Sequence, residues 1–269
     1  MKKPSEEAKK RYAEYVKDYK VAIEAVLAKE KKLKAVAESG TGGANYQRLA
    51  LADDNLNIVS NYILMNSLSM TFLGVKNENF LNEARKCLYK TIIYLEEVLT
   101  TFIDVPFSDY EEGLKTIDAF SDESRYNLVR KIGFSIDSIR DGFGENTKWK
   151  WSFVELDGRY AVIAKNFLNL KTFLAKMDPR EEGYSARMAH LSLTKELLQQ
   201  AADKYREKYE LSTQRLDDMK LAVNYLSALR RLNIILGETE QAEVVKKKIE
   251  IWKAKMEADL KKIEAASHR

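Results

Sequence analysis

Apolar residues recur every three to four positions along almost the whole chain, the period of a helix with one face turned inward. Tyr12, Val16, Tyr19, Ile23, Val26 and Leu33 fall on one such face among lysines and glutamates, which predicts a first helix over 5–38. The same reading predicts a second helix over 44–73 closed by Gly74 and a third over 79–102 carrying Phe80, Leu88 and Val98. Ser108 with Glu111 spells a capping box for a short helix ending near Phe120. Ser121-Asp122-Glu123-Ser124 opens the next, whose stripe is Leu128, Val129, Ile132, Ile136 and Ile139. Longer helices are predicted over 147–177, 184–210, 213–236 and 238–266. No useful stretch alternates with the period of two that a half-buried strand needs. The predicted fold class is all-α, with long amphipathic helices packed as helical hairpins in two lobes.

Glycine marks the joints. Gly40-Thr41-Gly42-Gly43 breaks the first helix from the second, and Ala44-Asn45 follows where a phosphate-binding loop needs Lys and Ser or Thr. Asp141-Gly142-Phe143-Gly144-Glu145-Asn146 is the second break. The expected organisation is a basic N-terminal helix over 1–39, a first helical lobe over 44–141 and a second over 147–267. Charge supports setting the first helix apart. Residues 1–34 hold eleven Lys and Arg against six acids, a net +5 in a chain whose total is +4, so the remainder sits near −1. Such a helix could meet an anionic surface, or its charges could simply solvate its outer face.

The chain is poorly equipped for catalysis. Its one cysteine, Cys87, excludes an intrachain disulfide and reads as a buried small hydrophobe beside the stripe of its helix. Two histidines cannot build a zinc site: His190 has Ala186 and Thr194 at the helical offsets, and His268 lies in the C-terminal tail. The Asp141-Gly142 and Asp157-Gly158 pairs lack the alternating oxygen ligands of a calcium loop and read as turn or helix-packing positions. Neighbouring acids such as Asp53 and Asp54 point to different azimuths of one helix and do not converge on a substrate. No Gly-x-Ser-x-Gly elbow presents a serine. The expectation is therefore no enzyme, no cofactor, no metal and no small-molecule substrate.

What the chain does carry is aromatic surface. Lys148-Trp149-Lys150-Trp151 places two tryptophans about 200° apart around a helix, so one core cannot hold both. One of Trp149 and Trp151 is expected to anchor a partner near the lobe joint, as buried interface tryptophans do. Tyr12, Val16, Tyr19 and Ile23 are expected to dock the first helix, either on its own core or on a partner. Nucleic acid is disfavoured, because base stacking needs a platform of several aromatics.

Leu226, Leu229, Leu232, Leu236-Gly237 and Ala242 resemble the helix–turn–helix core of a tetratricopeptide repeat over 226–252, although Lys246 and Ile249 depart from it and no repeat period runs through the chain. The long Lys/Tyr/Asn-rich helices, with stretches such as Phe102-Ile103-Asp104-Val105-Pro106-Phe107-Ser108-Asp109-Tyr110, resemble the flagellar-coiling sheath proteins of spirochaetes. That resemblance implies an all-α, periplasmic, non-enzymatic protein that coats a flagellar filament. The expected function is a structural or protein-interaction subunit of a larger assembly, acting through protein partners or self-association. The alternative is a helical module that binds an anionic surface through its basic first helix. No run spans a bilayer, and Pro4-Ser5-Glu6-Glu7 stands where a leader's apolar stretch would begin. As given, the chain reads as cytoplasmic, or as periplasmic if a leader has been removed.

Overall fold

The computed structural model describes residues 4–38, 43–145 and 147–267. Part of the first glycine break (Gly40–Gly42), Asn146 of the second, Met1–Lys3 and His268 lie outside the described residues. Among those described there are ten α-helices and no strand, as the sequence predicts. They divide between two compact units, one formed by Met1–Thr100 with Glu112–Phe153, the other by Thr101–Glu111 with Val154–Arg269.

The first unit holds α1 (Glu6–Glu38), α2 (Ala44–Leu68), α3 (Glu78–Val98), all but the first residue of α4 (Glu111–Lys115), and α5 (Asp122–Phe143). Its centre is the α2–α3 pair, with Leu51, Ile58 and Met65 of α2 and Leu81, Leu88 and Leu95 of α3 fully buried. The reversal between them is built from small polar parts. A π-helical turn, Ser69–Leu73, ends at Gly74, whose φ of 66° is the left-handed value glycine adopts without a Cβ penalty. Asn77 then caps α3 by accepting from the Phe80 amide, while its own amide donates to Asn66 Oδ1 at 2.8 Å.

Helix α1 belongs to this unit and docks on α2. Val16, Ile23 and Ala37 are buried, and Glu30 joins them because it has partners. Tyr94 donates to its carboxylate at 2.8 Å and Lys90 at 3.2 Å. Burial, then the bond to Glu30, pushes the Tyr94 hydroxyl well above its ordinary range. Lys29 reaches Asp54 of α2 at 2.7 Å, and Tyr15 stacks on Phe72 at 5.7 Å. The helix thus docks on its own core.

The second unit holds most of α6 (Lys150–Phe167), then α7 (Leu170–Ala175), α8 (Tyr184–Lys208), α9 (Leu216–Ile235) and α10 (Thr239–Ser267). Helix α9 packs against both α8 and α10. The α9–α10 hairpin turns at Gly237, with φ of 74°, and Leu226, Leu232, Ala242 and Trp252 are buried in it. Gly158 of α6 lies beneath the stacked rings of Tyr205 and Tyr225, whose centroids are 5.6 Å apart. A second π-helical turn, Tyr209–Thr213, is locked to α9 at Asp218, which accepts from Lys208 at 2.9 Å and Thr213 at 2.6 Å. Burial alone would raise the Asp218 carboxyl, but these two donors outweigh it and hold it below its ordinary value.

Three sequence-predicted elements come out differently. Helix α3 stops at Val98 because the chain turns at Leu99, and the next residues, Thr101–Glu111, fold with the second unit. The Ser108 capping box does not form: the Ser108 hydroxyl bonds Asp109 Oδ1 at 3.1 Å inside a short 3-10 turn, Phe107–Asp109, and only Glu111–Lys115 becomes helical. The helix expected over 147–177 is split, since Asn169 accepts from the Thr172 amide at 3.0 Å and restarts the chain as α7. The division between the units falls inside α6, and Gly142 of the expected boundary sits within α5, where a Cβ would come 2.6 Å from Leu81 Cδ2.

Candidate interaction surfaces

Both tryptophans of the Lys148–Trp151 string lie in the first unit and both are half-buried. Trp149 is engaged by its own unit. The Arg85 guanidinium lies 3.9 Å over its ring and Phe143 is 6.5 Å away. Trp151 is met by the Lys150 ammonium at 4.8 Å. On α1, Val16 and Ile23 are buried against the unit's own core, whereas Tyr12 and Tyr19 are half-buried. Tyr12 lines a shallow apolar recess with Leu73 and Val75. The sequence-nominated residues therefore divide into one pair in the core, two half-buried tyrosines and two half-buried tryptophans.

The barest apolar side chains are ones the sequence reading passed over. On the first unit, Phe134 of α5 is 74% exposed. On the second, Leu211 is 70% exposed and Val244 and Ile251 of α10 are each 67% exposed. A signal for each was present. Phe134 sits two residues after Ile132 and two before Ile136, so it points away from the stripe those residues define. Val244 and Ile251 are seven apart, and each has a core partner one or two places away, Val245 and Ile249. A helix with apolar residues on both sides has more hydrophobic surface than one core can cover.

The histidine and the cysteine that could carry chemistry are both buried in the helical packing. His190 is buried, and its Nε2 donates to the Ala164 carbonyl at 2.8 Å, an anchor between α8 and α6. Cys87 is buried, and desolvation pushes its thiol up to about 11. Among the described residues no three of His, Cys, Asp and Glu gather in a way that could hold a metal ion, and no helix is long and apolar enough to cross a membrane. On the second unit, a groove of about 580 Å³ runs between the 104–107 segment and the outer sides of α9 and α10. Its walls mix Phe107, Ile234 and Ile249 with Arg230, Arg231, Lys246 and Lys253, against Asp104 and Glu250.

The profile of the TP0443 family matches residues 8–260. The family's name derives from Treponema, consistent with a spirochaete-associated protein. No curated protein matches the chain. A solved chain described as "Computational Design of Self-Assembling Cyclic Protein Homooligomers" aligns with 93% of this chain and 98% of its own, at 13% identity and a TM-score of 0.30. That likeness is too distant to bear on fold or assembly.

Proposed function

The chain belongs to the TP0443 family, and from that premise we propose that it is a non-enzymatic structural subunit, acting by contact with other proteins in a larger assembly. One observation carries the reading: large apolar side chains stand bare on otherwise well-packed helices, Phe134 on one unit and Leu211, Val244 and Ile251 on the other. Single exposed apolar residues are ordinary, but a Phe three-quarters exposed beside a dense core is the kind of side chain that interfaces cover. Trp151 is the better of the two tryptophan anchors, since Trp149 is already held by Arg85 and Phe143. The finer reading is a component of a flagellar filament sheath in the periplasm. It is supported by the resemblance to flagellar-coiling sheath proteins and by a family name of spirochaete origin.

The test is co-sedimentation of the purified protein with isolated spirochaete flagellar filaments. The sheath reading expects saturable binding that Phe134→Ser weakens at least tenfold. Binding equal to that of an unrelated helical protein contradicts it. A second reading, docking on an anionic surface, is favoured by Lys17, Lys20, Lys31 and Lys32, exposed on α1 and without an ion pair among the described residues. It expects binding that falls steeply with salt, whereas apolar contacts change little.

A further inference from the structure

Lys165 lies within Ala161-Val162-Ile163-Ala164-Lys165-Asn166-Phe167-Leu168 on α6, and it is only 6% exposed. Its ammonium sits 4.5 Å from the centre of the Tyr110 ring and makes no hydrogen bond among the described residues. An ammonium carries three donors, and burying it without an acceptor is costly. It borders a cavity of about 20 Å³ whose polar lining is Asp104, Tyr110 and Arg231, the remaining wall being apolar, with Ile103, Val105 and Leu232 among it. Arg231 donates to Asp104 through Nε at 2.8 Å, which leaves its terminal nitrogens available to a second acceptor. The cavity lining therefore has two cations and one carboxylate, an excess of one positive charge at the wall itself, with Asp109 acting on Arg231 from outside it.

We propose that this cavity is a binding site for a single carboxylate, held between the Lys165 ammonium and the terminal nitrogens of Arg231. Two donors approaching from different elements suit a group with two oxygens. One negative charge cancels the excess, where a phosphate dianion would overshoot it and needs more room. A space of this size accepts one water-sized group, so it takes one carboxylate oxygen, the rest of the group lying toward the larger groove. The carboxylate has two possible sources, a free small acid or the side chain of an Asp or Glu on a docked protein. The larger groove shares Asp104, Phe107, Arg231 and Ile235 with the cavity and is roomy enough for the second.

Burial lowers Lys165 to about 8, with Asp104 opposing and Arg231 adding to the fall. The groups facing the ammonium are Asp104 and Tyr110 from the 101–111 segment and Arg231 from α9, and burial holds Tyr110 neutral at these pH values. A bound carboxylate favours the charged ammonium, so binding takes up a proton above pH 8 and weakens as pH rises further.

The experiment follows the ¹³Cε signal of Lys165 in lysine-labelled protein. The signal is assigned by its loss in Lys165→Met and independently by its titration near pH 8. Formate and N-acetylglutamate amide are titrated in at constant ionic strength, with chloride as the balance. The expected result is a saturable shift of the Lys165 signal, a rise of its pKa by about one unit or more, no comparable change at exposed Lys171, and weaker binding in Arg231→Lys. Tighter binding of the glutamate analogue than of formate assigns the site to a partner's side chain, and formate alone assigns it to a free acid. A Lys165 signal that neither compound moves beyond the chloride control overturns the proposal.

Discussion

Cys87, Gly158 and Lys165 each respond to their immediate surroundings in a way that can be measured. With its thiol near 11, Cys87 has little thiolate at neutral pH. Maleimide labelling of native protein is expected to run at least tenfold slower than in denaturant; equal rates would mean the site opens freely. At Gly158 a Cβ would come 2.7 Å from Tyr205 Cε2 and closer still to the Tyr225 hydroxyl. Both rings are buried and stacked, so they cannot swing away cheaply. Gly158→Ala should cost about 1–3 kcal/mol by chemical denaturation despite alanine's better helix propensity. Lys165 predicts the opposite sign. Its folded pKa of about 8 lies below the ordinary 10.5, so the unfolded chain binds more protons between those values and stability rises with pH across that window. Lys165→Met should therefore melt higher than the parent at pH 7, by a margin that shrinks from pH 8 upwards. The sequence carried a hint of this site, since a lysine inside an apolar run on a helix is a candidate for burial. Its lack of an acceptor depends on residues 101–111 and α9, which no local pattern brings together.

Among the elements, α1 gives the sharpest expectation. Its burial through Val16, Ile23 and Ala37 and its clasp at Glu30 make it part of the first unit's core. Ile23→Ala should cost about 2–3 kcal/mol, and Tyr94→Phe about 1–2 kcal/mol, both read as shifts in denaturation midpoint. Removal of residues 1–38 should lower the melting temperature, not leave a stable protein. The stripe Tyr12, Val16, Tyr19, Ile23 was legible because a helical period needs only one sequence. Its docking target was not, because Glu30, Lys90 and Tyr94 lie on different helices and their pairing is tertiary. The same reason hid the end of α3 and the split after Phe167. The Asp104–Arg231 bond joins residues 127 apart and ties the 101–111 segment to the second unit. At Asn169, a side-chain cap competes with helix continuation, and with Asn166 only three residues earlier the sequence gives no warning of which will win.

For the whole molecule, the all-α class followed directly from helical spacing and the absence of two-residue alternation. The division into units did not, since the chain crosses between them three times, after Thr100, after Glu111 and inside α6 after Phe153. The proposed work of the protein rests on what both units leave uncovered. Phe134, Val244 and Ile251 make little contribution to folding where they stand, so replacing them with serine should change stability by no more than about 0.5 kcal/mol. Their loss should be felt in assembly instead. The most direct measurement is the native size of the protein in a gentle lysate of the cells that encode it, by size-exclusion chromatography with immunodetection. The account predicts elution well above the 31.0 kDa monomer, with Phe134→Ser combined with Val244→Ser and Ile251→Ser returning the folded protein to the monomer position. A parent protein that elutes as a monomer, or a triple variant that stays in the large species, would contradict it.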